Sequence, residues 1–192
     1  MPAWAEGDPL VVAPRLLGAV LTHAGVSVRL TEVEAYRGPD DPGSHAFRGP
    51  TPRNATMFGP PGRLYVYFVY GMHHCANLVT GPDGEAGAVL LRAGRVVGGI
   101  DLARARRPGS TDRDLARGPA RLCRALAIDG SHDGDLADLV AGERATDRED
   151  VVSTGPRVGL RLAADRPWRF WIGGDDTVSA YRPAAPRRRA GS

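Results

Sequence analysis

Two carboxylates in one strand-like run are the first residues in this chain that could do chemistry. Glu32 and Glu34 stand in Thr31-Glu32-Val33-Glu34-Ala35-Tyr36, and His45 follows in a stretch rich in Gly, Pro and Asp. Val26, Val28, Leu30, Glu32, Glu34 and Tyr36 alternate with Ser27, Arg29, Thr31, Val33 and Ala35, a periodicity that reads as a β-strand. The face that opens Val-Val-Leu closes Glu-Glu-Tyr, so the apolar face is expected to deliver carboxylates to its end. A carboxylate there is either ion-paired or has its pKa raised by burial, and a raised pKa suits a general base. The alternative is an edge strand whose Glu side chains stand in water.

A second run, Leu64 to Tyr70, places Leu64, Val66, Phe68 and Tyr70 on one strand face and Tyr65, Tyr67 and Val69 on the other. Tyr70 precedes Gly71, where a hairpin tip is expected. An aromatic ring at a tip lies outside the sheet and makes a poor core residue. It suits stacking on nucleic-acid bases or wedging between them. Tyr65 reads better as a core ring.

These motifs resemble the alkyladenine DNA glycosylases, also called 3-methyladenine or methylpurine DNA glycosylases. The residues that carry the resemblance are Glu-Val-Glu-Ala-Tyr-Arg-Gly-Pro-Asp-Asp (32–41) with His45, Thr-Pro-Arg-Asn-Ala-Thr-Met-Phe (51–58) and the run from Pro61 to Asn77. Further on, Ala-Val-Leu-Leu-Arg-Ala (88–93), residues 118–128, Pro-Arg-Val-Gly (156–159) and Trp-Arg-Phe-Trp-Ile (168–172) also match. The matches run in order from about Leu16 to the 170s, and several multi-residue motifs in order are far more specific than one short pattern.

The resemblance implies an α+β domain with a mostly antiparallel curved sheet flanked by helices, and a protruding β-hairpin that enters the DNA minor groove. It implies a monofunctional glycosylase of base excision repair that flips out 3-methyladenine, 7-methylguanine, hypoxanthine or etheno-adenine. Glu34 would deprotonate the water that attacks C1′, with Arg92 as its orienting partner and the Val158 carbonyl as a second holder of the water. Tyr36, His45 and Tyr67 would line the base pocket, with Asn77 at its edge. Tyr70 would wedge into the stack, and Met72 and His73 would touch the minor groove. The family often has aromatics near this last position, where the chain reads His73-His74. Glu32 is expected to make an ion pair or meet solvent. Asn54 is expected to be structural. Arg53 is open between phosphate binding and loop fixing, and Pro39, Asp40 and Asp41 read as turn chemistry.

The 192 residues, with 42% hydrophobic and 24% charged residues, fit one domain with a full core, loose at 1–8 and 183–192. No run reaches the length of a membrane span and no signal pattern opens the chain, so cytoplasmic residence, nucleoid-associated through DNA, is the expectation. Cys75 and Cys123 form no ligand pair, and no metal or organic cofactor is expected. The expected partner is double-stranded DNA containing damaged purines, bound by a monomer.

A net charge of +3 says little about nucleic acid, but all 25 basic residues are arginine. Glycosylases that also cut the backbone commonly use an amine to form a Schiff base. Without lysine only the N-terminal amine could serve, which points to a water nucleophile and no lyase step.

Along the chain the pattern predicts a helix from Leu10 to Val20 with Pro14 in its first turn, then two strands from Ala19 to Tyr36 with a turn at His23-Ala24-Gly25. A loop from Arg37 to Pro61 follows, then strands at 64–70, 74–80 and 87–93. A basic helix covers Gly99 to Arg107, a polar linker whose order is left open Ser110 to Leu115, and a helix Pro119 to Ile128. Ala137 to Arg148 gives no pattern. Closing strands are expected at Val151–Val152, 158–162 and 168–172, and Pro186 to Arg189 forms a basic tail.

Two other function classes are consistent with the fold class. A non-catalytic DNA-damage binder would keep the wedge and the pocket but has no need of both Glu34 and Arg92. A small-molecule enzyme would have no need of a tip aromatic.

Overall fold

The computed structural model describes residues 2–69, 71–140 and 151–185. Among these residues eight strands form one antiparallel sheet. They are β1 (Val20–His23), β2 (Val26–Tyr36), β3 (Leu64–Val69), β4 (His73–Val79), β5 (Ala88–Gly98), β6 (Leu139–Val140), β7 (Val152–Gly155) and β8 (Arg169–Ile172). The order is β3-β4-β5-β2-β1-β6, with β8 on the second half of β2 and β7 outside β8. The α-helices α1 (Pro9–Arg15), α2 (Ile100–Arg106) and α3 (Pro119–Leu126) complete the α+β architecture of the described residues.

The main core packs Val12, Leu16, Leu122 and Leu126 against Val28, Leu30, Leu78 and Leu91. A smaller cluster on the other side of β3–β5 joins Tyr65, Val79 and Ala88 to Ala46 and Met57 of the long loop. The sheet is thus apolar on both faces where the loop folds over it, and this second layer builds the site.

The register of β2 departs from the alternation read in the sequence. Leu30 faces Gly94, Glu32 faces Ala93 and Val33 faces Leu91, so Thr31 is an extra residue on β2 and Arg92 an extra residue on β5. These bulges exchange the faces. Val33 and Ala35 join Val28 and Leu30 in the core, and Glu34 and Tyr36 turn to the opposite side. The expectation that the apolar face itself ends in carboxylates is therefore corrected. Bulges are a common means of re-aiming side chains beside a site.

The first helix is shorter than expected. Asp8 caps it by accepting the Leu10 N–H at 2.8 Å, and Pro9 rather than Pro14 occupies its first turn. It ends before Gly18 because the Gly18 N–H donates to the Leu30 carbonyl and pulls the chain into the sheet. The lead-in is anchored rather than loose from Ala3 on, since Ala3–Ala5 forms a 3-10 turn with Ala5 fully buried. Ala24 and Gly25, both with positive φ, close the β1–β2 hairpin as expected. The 110–115 linker is fixed by the Arg104–Asp112 ion pair and by buried Leu115. No strand forms at 158–162; Gly159 at φ +74° turns the chain there. Among the described residues no helix is long and apolar enough to cross a membrane. Tyr70, most of the 137–148 stretch and the arginine tail lie outside the described residues.

Candidate active site

The re-aimed strands and the long loop enclose a cavity of about 230 Å³. Glu34, Tyr36, His45, Tyr67, Asn77, Arg92 and Val158 all line it, so every base-pocket and catalytic residue expected from the sequence meets here. Met57, Tyr65, Cys75, Leu90, Pro119 and Leu160 supply most of the remaining wall. A larger hollow of about 760 Å³, lined by Asp8, Arg37, Phe58 and Glu85 among others, shares no residue with it.

Glu34 is fully buried and surrounded by donors. Its Oε1 accepts the Val158 N–H at 2.7 Å and lies 3.3 Å from an Arg92 guanidinium nitrogen, and its Oε2 accepts the Tyr36 hydroxyl at 2.9 Å. The Val158 contact runs through the amide N–H, not the carbonyl. A carboxylate offers about four lone-pair sites. Oε1 has two of these neighbours and Oε2 one, so Oε2 is the less engaged oxygen.

Glu32 binds differently. It is fully buried, with its oxygens accepting Arg92 Nε and Arg169 Nε at 2.7 Å each and the Ser179 N–H at 2.6 Å. The expected ion pair is present, doubled, and solvent contact is not. Burial alone would raise the Glu32 pKa, but Arg92, Arg169 and the Ser179 N–H outweigh it and hold the carboxyl below its ordinary range. Arg92 spans both acids. Burial would lower its pKa, and the pull of Glu34 and Glu32 raises it instead.

The aromatic wall is hydrogen-bonded as well as packed. His45 Nδ1 and the Tyr65 hydroxyl lie 3.1 Å apart, and the His45 ring meets the Tyr67 ring edge-on at 4.5 Å. Burial, then the charge of Arg53, lowers the His45 pKa. Burial pushes the hydroxyls of Tyr36, Tyr65 and Tyr67 up, Tyr65 to about 12, so each stays a neutral donor at physiological pH. Asn77 Nδ2 donates to the Tyr65 carbonyl at 3.1 Å, which leaves its Oδ1 as the free amide atom. Tyr65 is 1% exposed and serves the core, as read from the sequence.

Asn54 staples the loop: it accepts the Thr51 N–H and donates to the carbonyls of His45 and Gly49. Arg53 donates to the Phe68 carbonyl. Asp41 is more than a turn residue. It accepts the Gly43 N–H and also forms a fully buried ion pair with Arg157, whose guanidinium lies 4.6 Å from the Tyr36 ring centroid. On the β3–β4 hairpin, Met72 and His73 are exposed.

Arg157, Arg169 and Ser179 escaped the sequence reading. Arg169 had a signal, because a charge inside Trp168-Arg169-Phe170-Trp171-Ile172 must find a buried counter-charge. Arg157 stands beside Val158 in a motif already noted, but its partner Asp41 is 116 residues away. Ser179 carried no signal.

The sequence profile of the methylpurine-DNA glycosylase family matches residues 3–176. Similar proteins named "Putative 3-methyladenine DNA glycosylase" come from Frankia casuarinae, Streptomyces avermitilis and Nocardia farcinica. The first is 53% identical over 93% of this chain and 90% of its own length. The second is 53% identical over 94% and 90%. The third is 54% identical over 93% and 91%. With a profile match along most of its length and relatives of this similarity, the chain belongs to the methylpurine-DNA glycosylase family.

Proposed function

We propose that the chain is a monofunctional DNA glycosylase of base excision repair that removes alkylated or deaminated purines and leaves an abasic site. The observation that carries this reading is a buried carboxylate, Glu34, in the wall of a cavity that the rings of Tyr36, His45, Tyr65 and Tyr67 also line. The name of its relatives points to 3-methyladenine as a substrate. 7-Methylguanine, hypoxanthine and etheno-adenine are the further candidates.

A purine inside a duplex cannot reach the cavity, so the nucleotide must leave the stack, at a cost of a few kcal/mol that is smaller for a damaged pair. Tyr70, between β3 and β4, would fill the gap, with Met72 and His73 against the minor groove. Tyr36, His45 and Tyr67 would enclose the flipped base, each aromatic stack contributing about 1–3 kcal/mol. A cationic alkylated purine gains further from the ring faces. Asn77 Oδ1 would meet its edge.

The attacking water would bind Glu34 Oε2, with the Val158 carbonyl as a second holder. Its oxygen forms a bond to C1′, its proton passes to Glu34, and the C1′–N bond breaks with its electron pair returning to the base. For a cationic alkylated purine that pair neutralises the ring, so the base leaves without a general acid. The negative carboxylate also stabilises the cation-like sugar. Arg92 would fix Glu34 in place. The protein would act in the cytoplasm as a monomer on nucleoid DNA.

The test is base release, followed by chromatography, from duplexes carrying one hypoxanthine or etheno-adenine and from methylated DNA. Released purine supports the proposal. Tight lesion binding with no release on any of the three would shift it to a non-catalytic damage binder.

A further inference from the structure

A second hollow, of about 320 Å³, opens beside the cavity and shares Arg92 and Val158 with it. Arg92, Arg117, Arg121 and Arg182 line it, with Ser179, and no carboxylate does. Arg92 is neutralised by Glu32 and Glu34. The others keep much of their charge. Arg117 donates to the Val178 carbonyl and has Asp114 at 3.4 Å, while Arg121 has Asp114 only at 4.0 Å. Among the described residues the Arg182 side chain makes no ion pair, and its backbone carbonyl is held by the Gly159 N–H next to Val158.

A third hollow, of about 580 Å³, continues from there to the hairpin. Arg107, Arg121 and Arg124 line one side, and Met72, His73 and His74 line another. Its one acid, Asp129, is engaged by the Ser131 N–H and by His132. Burial, then the charges of Arg121 and Arg124, lowers the Arg107 pKa against the opposing pull of Asp114. Arg121 lines both hollows and joins them into one basic track along α3.

Guanidiniums that outnumber the carboxylates around them are relieved by a polyanion, and the guanidinium fork matches phosphate geometry. The track starts at the cavity mouth and ends at the hairpin. We infer that Arg117, Arg121 and Arg182 seat the phosphate flanking the extruded nucleotide, and that Arg107 and Arg124 hold the next phosphates of the same strand toward the hairpin tip. This rests on the glycosylase reading and names the surface through which that site holds its DNA.

The experiment compares wild type with Arg121→Gln and Arg182→Gln. Arg104→Gln, on an arginine paired with Asp101 and Asp112 away from the track, serves as control. Each protein is titrated with a hypoxanthine duplex across a salt series. Each track variant should lower the slope of log affinity against log salt by about one, and the control should leave it unchanged. A methylphosphonate at one phosphate beside the lesion should weaken wild type several-fold and leave Arg121→Gln almost unaffected.

An unchanged slope, or a methylphosphonate scan in which wild type and Arg121→Gln lose equally at every position, would overturn the inference. Wild type that neither binds nor excises would fail the glycosylase reading itself and take the inference with it.

Discussion

The Val158 N–H donates to Glu34 Oε1 over 2.7 Å, linking a turn near the end of the chain to the carboxylate of the central strand. Tyr36 holds the other oxygen at 2.9 Å and Arg92 lies beside the first. The acid is thereby oriented from three directions, with Oε2 the less engaged of its two oxygens.

Tyr36→Phe tests the second of these contacts while keeping the ring. A hydrogen bond to a charged group contributes about 1.5–3 kcal/mol, so the single-turnover excision rate should fall roughly ten- to a hundredfold. Lesion affinity should change little. A loss confined to affinity would assign Tyr36 to stacking alone.

The Asp41–Arg157 pair should matter for stability more than for chemistry. Both side chains are fully buried, and removing one partner leaves an unpaired charge, which costs about 3–5 kcal/mol. Urea unfolding of Asp41→Asn should give a loss of that order. A midpoint like that of wild type would mean that water enters the site.

Glu32 should give the fold an acid-sensitive element. Burial works against ionisation, yet Arg92, Arg169 and Ser179 hold its pKa below the ordinary 4.5. Its stabilisation is therefore complete above about pH 4.5 and is lost as the pH falls through the lower folded-state value. The stability gap between wild type and Glu32→Gln should narrow between pH 5 and the lower folded-state value. A gap constant across that range would refute the ionic account.

His45 should titrate below its ordinary 6.5, because burial and then Arg53 disfavour the imidazolium. Its ring resonances followed by NMR should report that lower midpoint, and Arg53→Ala should move it up. An unmoved midpoint would leave burial as the whole cause.

The absence of lysine predicts the chemistry of the product. Borohydride should trap no enzyme–DNA adduct, and the abasic strand should stay intact until alkali is added. A trapped adduct would put the N-terminal amine in the reaction.

Much of the candidate site was legible through the family resemblance, whose motifs carry its residues over one by one, while strand periodicity alone pointed only to the carboxylates of β2 and the aromatic at the hairpin tip. Glu34, Tyr36, His45, Tyr67, Asn77, Arg92 and Val158 meet at one cavity. The face of β2 was not read correctly, although a trace was present. Apolar residues move from even positions (Val26, Val28, Leu30) to odd ones (Val33, Ala35), which is the phase change of a bulge at Thr31. Strict alternation over the whole run concealed it. Arg157 and Ser179 were hidden for another reason: their partners are fixed by tertiary packing, and local pattern carries no record of that. The 158–162 segment misled because Val158 and Leu160 serve a turn at the cavity rather than a strand, and Leu162 is exposed.

The most direct test of the central claim is single-turnover excision from a duplex with one hypoxanthine, wild type beside Glu34→Gln. General-base catalysis is worth about a hundredfold to ten-thousandfold, so the variant should lose at least that much rate while still binding the lesion. Excision by Glu34→Gln at the wild-type rate would contradict the account and require another residue to activate the water.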